Sequence, residues 1–226
     1  MLKAMAGIKA CSTAVKQVVE QVRYSREEKM NKIVGDQALD IVFRKGRSYN
    51  RFLDKPVSDV LIEAVYDLAR MGPTSANCCP ARFVFAKTLA AREKLAQHAI
   101  QNNKAKILSA PVVVIIGQDM EFYERIPELF PHNPGAREWF AGDDAGIRET
   151  AFRNSTLQGA YLMLAARSLG LDCGPMSGFD ADAVNAAFFA GTTIKVNFIC
   201  ALGYGSDELL FPRGPRLAFD DACSIL

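Results

Sequence analysis

Residues 111–117 read PVVVIIG, five branched apolar side chains in a row with no polar break. A strand with one wet face alternates apolar and polar residues, so an unbroken run of this length is expected of a strand buried on both faces. Two further segments have strand character, Arg82–Lys87 (RFVFAK) and Ile194–Tyr204 (IKVNFICALGY). A helix is predicted after Ser58, a suitable N-cap, because Leu61, Val65, Leu68 and Ala69 recur at helical spacing and Gly72 stands where the helix should end. Others are predicted over Asp36–Phe43, Ala90–Ala99, Glu149–Leu169 and Asp182–Phe189. Within Glu149–Leu169, Phe152, Leu157, Tyr161, Leu164 and Ala165 share one side while Ala160 and Met163 lie on the other. That helix is therefore expected to be buried nearly all round, with Gly159 marking a close packing contact. Strands and helices mix without strict alternation, which gives an α+β fold.

Residues 119–149 break the pattern. Phe122, Tyr123, Phe130, Trp139 and Phe140 are interspersed with Pro127, Pro131 and Pro134, so broken helices are expected, forming either a lid over a site or a satellite core. The 226 residues suit one well-buried domain. Residues Met1–Lys29 read as an upstream extension or loose surface helix, with a weak transit peptide as the alternative, ahead of a domain at Met30–Leu226.

Several function classes lack their signatures. With 27 basic and 25 acidic residues, the net charge of +2 gives no reason to expect nucleic acid or membrane binding, and no stretch is long and apolar enough to span a bilayer. The cysteines (Cys11, Cys78, Cys79, Cys173, Cys200 and Cys223) form no CxxC pair, and His98 and His132 are the only histidines. No metal site is expected, and scattered thiols suit a reducing cytoplasm. Gly203-Tyr204-Gly205 lacks the third glycine of a dinucleotide fingerprint, and there is no phosphate loop or GxSxG elbow. A chain so short of acid–base machinery fits one whose hard chemistry belongs to a bound cofactor.

Five segments carry groups suited to such a cofactor. They are RSYN (47–50), GPTSANCCP (72–80), the Asn103/Lys106 pair, GPMSGF (174–179), and the tail residues Arg213 and Arg216. A phosphomonoester wants guanidinium forks and hydroxyl or backbone donors, and a flavin ring wants donors around its polar edge with an open flat face. Taken singly, exposed arginines are usually solvated and Pro/Ser/Asn/Gly clusters are usually turns. Cys78-Cys79 reads better as a small buried turn than as a redox pair.

Together these segments resemble the nitroreductase family over about Met30 to Leu226. The longer strings GPTSANCCPAR, EFYERIPELFPH, ETAFRNSTLQGAYL and LDCGPMSGFD resemble most its malonic semialdehyde reductase branch. The resemblance implies an intertwined homodimer with FMN at the subunit interface and NAD(P)H as co-substrate. It implies that Arg47, Ser48 and Asn50 contact the flavin, that Thr74, Ser75 and Asn77 reach it from the partner, and that Asn103 and Lys106 lie near its ribityl chain and N1/O2. Ser177 and Gly178 would contact N5, and Arg216, helped by Arg213, would hold the phosphate. Three departures from the family pattern stand out: Cys79-Pro80-Ala81 replaces Gln-Pro-Trp, Gly46 replaces a first arginine, and Asn50 replaces a basic residue. The implied reaction passes a hydride from NAD(P)H through flavin N5 to a small aldehyde, quinone or nitro acceptor. The branch implies malonic semialdehyde (3-oxopropanoate), reduced to 3-hydroxypropionate in pyrimidine degradation. A flavin-binding protein with little turnover is the reading from another class. An acid aldehyde needs a cation in the pocket; Arg82 is the candidate because it follows the pocket turn, with Arg125 and Arg137 as alternatives.

Overall fold

The computed structural model describes residues 33–226, so the expectations for Met1–Lys29 lie outside the described residues. These residues fall into two compact units: residues 40–210, and residues up to Leu39 together with 211–226.

In the larger unit, strands β1 (Ala81–Ala86), β2 (Val112–Asp119), β3 (Asp172–Met176) and β4 (Ile194–Gly203) form one sheet in the order β1-β2-β4-β3. Every neighbouring pair is antiparallel. Five helices pack around it: α1 (Asp59–Ala69), α2 (Leu89–Gln97), α3 (Gln101–Ser109), α4 (Asp144–Ser168) and α5 (Ala181–Phe188). Val113 and Ile115 of β2 join Leu95 and Ala96 of α2, Ile107 of α3 and Val184 of α5 in one core. Val112, Val114 and Ile116 face the other way, onto Val65 and Ala69 of α1 and Leu162, Ala165 and Ala166 of α4. All five side chains of the 112–116 run are fully buried, as the sequence requires. Each is worth ~1.5–3 kcal/mol of transfer from water. Doubly covered sheets are usually parallel; here antiparallel strands are covered on both faces by helices carried in the connections.

The local signals explain most boundaries. Ser58 caps α1, accepting from the Leu61 N–H at 3.2 Å. The long helix starts five residues before the expected Glu149, because Asp143 caps it at the Gly146 N–H. Gly159 does mark a close contact: a Cβ there would lie 2.5 Å from the Phe198 ring. The Asp36–Phe43 expectation resolves into one α-turn, Asp36–Leu39, and a π-helical turn, Asp40–Arg44. Strand β3 and helix α3 have no counterpart among the sequence expectations.

One expectation is corrected. Helix α4 is not buried all round in the single chain, since Phe152, Leu157 and Tyr161 are exposed. Apolar residues line two sides of this helix, and the chain's own core covers one of them.

Residues 119–149 form the expected broken helices, with turns at Phe122–Arg125, Ile126–Leu129 and Pro134–Trp139. They close on a satellite core of Phe122, Ile126, Ala136, Ile147 and Ala151, joined by Cys78. Phe140 meets Phe122 edge-on at 5.1 Å and belongs to that core with Tyr123, whereas Trp139 stays exposed. Arg137 ties the excursion together through Glu124, which it lowers below the usual carboxylate range.

In the smaller unit, residues 211–226 are exposed throughout, with a helical turn at Phe219–Ala222. No helix among the described residues is long and apolar enough to cross a membrane.

Candidate functional site

The fold gathers three of the sequence segments at the β3 edge of the sheet. Residues 47–50 run beside β3: Ser48 forms a parallel bridge with Cys173, and the Tyr49 N–H donates to the Cys173 carbonyl at 3.0 Å. Helix α3 approaches the same strand. The Lys106 side chain lies 3.1 Å from where a Cβ on Gly174 would stand, and the Tyr49 carbonyl lies 2.6 Å from that point. Glycine is needed there because strand, loop and lysine converge. Just past β3, the Asn103 side-chain amide donates to the Gly178 carbonyl at 3.0 Å, and the Ile100 N–H donates to the same oxygen at 3.1 Å. Asn50 is anchored through the Leu209 carbonyl at 3.1 Å, and Ser177 is exposed.

Arg167, at the end of α4, was not foreseen from the sequence. Its guanidinium donates to the carbonyls of Val42 (3.2 Å) and Arg47 (3.4 Å), so it holds the loop that carries Arg47. An arginine in the last turn of a helix reads as a dipole partner, and only the fold places this loop beside it.

Electrostatically this corner favours an anion. Lys106 is half buried, and burial pushes its pKa below that of an ordinary lysine. Among the described residues no carboxylate forms an ion pair with it. A cation so placed gains from a ligand with negative charge or electron-rich acceptors. The donor set of guanidinium, hydroxyl, carboxamide and ammonium fits a flavin mononucleotide.

The turn at 72–80 lies elsewhere. It leads into β1, the opposite edge strand. Three non-glycine residues in it adopt left-handed backbone: Ala76 (φ 48), Asn77 (φ 49) and Cys79 (φ 40). Each such residue costs roughly 1–3 kcal/mol and persists only where its surroundings dictate it. The Cys79 N–H donates to Thr74 Oγ1 at 3.1 Å, and Asn77 Nδ2 donates to the Leu129 carbonyl at 2.7 Å. Two buried side chains on α4 hold the ends. Asn154 Oδ1 accepts from the Ser75 N–H at 2.9 Å, and Gln158 Oε1 accepts from the Ala81 N–H at 2.8 Å. Burial raises the Cys78 thiol to about 12, helped by neighbouring Cys79, so Cys78 is an inert core residue.

Arg82 lines an open cleft of about 420 Å³ with Tyr66, Cys79, Phe83, Arg125 and Gln158 among its neighbours. Its guanidinium is already engaged, donating to the Cys79 and Ala81 carbonyls and pairing with Asp119 at 2.7 Å. Asp119 also accepts from Thr193 Oγ1 and the Glu121 N–H. The alternatives are paired too, Arg125 with Glu128 and Arg137 with Glu124 and Glu138.

The predicted residues of the larger unit thus form two groups, at the two edges of one four-stranded sheet. Three interstrand spacings separate those edges, about 14 Å. Arg213 and Arg216 lie in the smaller unit, where Arg216 Nη1 donates to the carbonyls of Gly214 (3.2 Å) and Pro215 (2.9 Å).

Comparison with known proteins gives one consistent result. Residues 43–204 match the model of the Nitroreductase family. A protein of Ralstonia pickettii, provisionally named an NADH dehydrogenase/NAD(P)H nitroreductase, is 54% identical over 190 residues, covering 83% of this chain and 97% of that one. A Burkholderia lata protein with the same provisional name is 57% identical over 192 residues, covering 85% of this chain and 98% of its own. Among solved structures, one provisionally described as a nitroreductase in complex with FMN, from Exiguobacterium sibiricum, superposes with a TM-score of 0.77. It is 19% identical and covers 87% of this chain and 100% of that one.

Proposed function

The chain belongs to the nitroreductase family, and from that premise we propose that it is an NAD(P)H-dependent FMN oxidoreductase whose sites are shared between two copies. The observation that carries this reading is the division of the donor set between opposite edges of one sheet. A ring bound at the Lys106 corner can meet the 74–77 turn only if a second copy brings that turn. The exposed apolar residues Phe152 and Leu157 of α4 supply a surface for such self-association.

In this reading Arg47, Ser48, Asn50, Asn103, Lys106, Ser177 and Gly178 of one copy hold the flavin, and Thr74, Ser75 and Asn77 of the other complete the pocket. Arg216, with Arg213, meets the phosphate. When bound, FMN supplies hydride exchange between the nicotinamide and the acceptor. Lys106 would offer positive charge to the bound group, and Asn103 fixes the main chain at Gly178. Pyridine nucleotide and acceptor take turns in one slot, so no dinucleotide motif is needed and initial-rate plots should be parallel. The free thiols at Cys78, Cys79, Cys173, Cys200 and Cys223 suit a cytoplasmic setting.

For the acceptor, the segments 72–82, 121–132, 149–162 and 171–180 favour malonic semialdehyde, reduced to 3-hydroxypropionate in pyrimidine degradation. Its carboxylate would take a guanidinium at the 420 Å³ cleft. Arg125 can exchange partners at least cost, since its pair with Glu128 is exposed and worth about 0–1 kcal/mol. The carboxylate pairing of all three candidate arginines favours a second reading, a neutral quinone or nitro acceptor. The test is an absorbance spectrum of the purified protein, then anaerobic NADPH titration and kcat/KM across an acceptor panel. A yellow dimer that bleaches and prefers the acid aldehyde is expected. A colourless protein that ignores added FMN overturns the reading, and a preference for quinones selects the second acceptor class.

A further inference from the structure

Three residues on α4 contact the 72–81 segment in succession. The Tyr161 ring lies directly on Gly72, where a Cβ would come within 2.6 Å of it. Gln158 accepts from the Ala81 N–H at 2.8 Å, and Asn154 accepts from the Ser75 N–H at 2.9 Å. Positions 154, 158 and 161 are spaced i, i+4, i+7, one stripe of a helix. Asn154 and Gln158 are buried (2% and 6% exposed), and with Ser155 they are the buried polar side chains among the described residues. The Asn154 amide also donates to the Thr150 carbonyl at 2.9 Å, which orients its oxygen toward the turn.

These contacts sit at the start, the first helical residue and the end of a segment with three left-handed non-glycine residues. Left to itself the segment would relax, because Asn77 tolerates left-handed backbone but Ala76 and Cys79 do not favour it. The same helix carries Phe152 and Leu157 on its exposed side. One rigid element therefore holds both the turn and the face offered to a second copy.

We propose that Asn154 and Gln158 are positioning residues for the reaction: they fix the 74–80 turn at a set height relative to the self-association face, and so set how Thr74, Ser75 and Asn77 meet the flavin of the partner copy. Tyr161 clamps the entry to the turn at Gly72. This rests on the reading under Proposed function and adds the residues that give the shared site its geometry. None of the three needs to touch the flavin. Their effect passes through the Ser75 and Ala81 backbone.

The test compares the FMN-loaded wild type with Gln158→Met, which keeps size but removes the acceptor, and Gln158→Glu, which keeps it. Wild type is characterised first. If it binds no FMN, the functional reading itself fails before any variant is considered. With FMN bound, Gln158→Met is expected to stay dimeric by light scattering. Its amide exchange in the 73–81 peptide should rise about tenfold or more. Its visible circular dichroism of the flavin should change, and kcat with a quinone should fall about tenfold with the KM for NADPH little altered. Gln158→Glu should restore exchange, dichroism and kcat to near wild type. A Gln158→Met protein with a lower melting temperature but an unchanged flavin signal and kcat overturns the proposal and leaves a purely structural role. If Gln158→Met does not fold, Gln158→Glu decides alone. Wild-type exchange and dichroism support positioning through the acceptor oxygen, and loss of either rejects it.

Discussion

Asn103 and Gly178 are locked together: the carboxamide of one donates to the carbonyl of the other at 3.0 Å, across the gap between helix α3 and the end of strand β3. A methyl group on Gly178 would meet Ile100 Cδ1 at 2.5 Å and Asn103 Nδ2 at 2.9 Å. Gly178→Ala should therefore displace Asn103, at an overpacking cost of about 1–3 kcal/mol. We expect FMN to bind about tenfold more weakly, with a melting temperature a few degrees lower. Fluorescence titration of the stripped protein measures the first and calorimetry the second; unchanged affinity would separate this corner from the cofactor.

Lys106 should make flavin binding sensitive to pH. Burial lowers its pKa from 10.5, so in the free protein it loses its charge as pH rises through that lowered value, earlier than an ordinary lysine. The charged form favours an anionic ligand, so FMN affinity should fall on the alkaline side. In the flavin-free protein the same shift means that Lys106 costs stability while charged and no longer does so above 10.5. Lys106→Arg, which keeps its charge, should give a flatter profile over the same range. Identical profiles for the two proteins would remove Lys106 from the site.

These three residues show what was legible and what was not. Asn103, Lys106 and Gly178 were picked out from the sequence, and the fold brings them together. The helix carrying the first two was missed because it begins Gln-Asn-Asn-Lys and its N-cap, Ile100, offers no side-chain bond. Strand β3 was missed because its five residues include Gly174-Pro175, a pairing normally read as a turn and tolerated here because β3 is an edge strand. Asn154 and Gln158 carried no signal at all. A polar residue on a helix reads as surface, and only the arrival of a turn with two open N–H groups turns it into a buried clamp. Val112–Ile116 and Ser58 were readable because burial on both faces and helix capping each leave a local imprint.

Leu157→Glu tests the self-association face. The residue is exposed in the single chain, so the substitution should leave the fold intact. A charge desolvated between two copies is costly, and the variant should sediment as a monomer. If the site is shared, it should lose FMN at the same time. A monomer that keeps its flavin would contradict the shared site.

Arg125 and Arg82 should behave differently. Arg125→Ala removes an exposed pair and should barely change stability, but should raise the KM for an acid aldehyde about tenfold while sparing a neutral quinone. Arg82→Ala leaves Asp119 (15% exposed) unpaired and frees the Cys79 and Ala81 carbonyls, so it should destabilise the protein by about 1–3 kcal/mol and impair both acceptors alike. A KM effect confined to the acid aldehyde in Arg82→Ala would instead make Arg82 the carboxylate ligand. Steady-state kinetics on both variants with both acceptors settles the assignment.

The edge-to-edge separation of the two residue groups has a genetic corollary. If the site is shared as proposed, a chain crippled at Arg47 and a chain crippled at Asn77 should each be inert as pure preparations. Mixed and allowed to reassort, they would form hybrids in which one pocket collects both lesions and the other collects none. Two dead parents would then yield offspring with half of the normal activity per hybrid, a rescue unavailable to any enzyme whose site is built from a single copy.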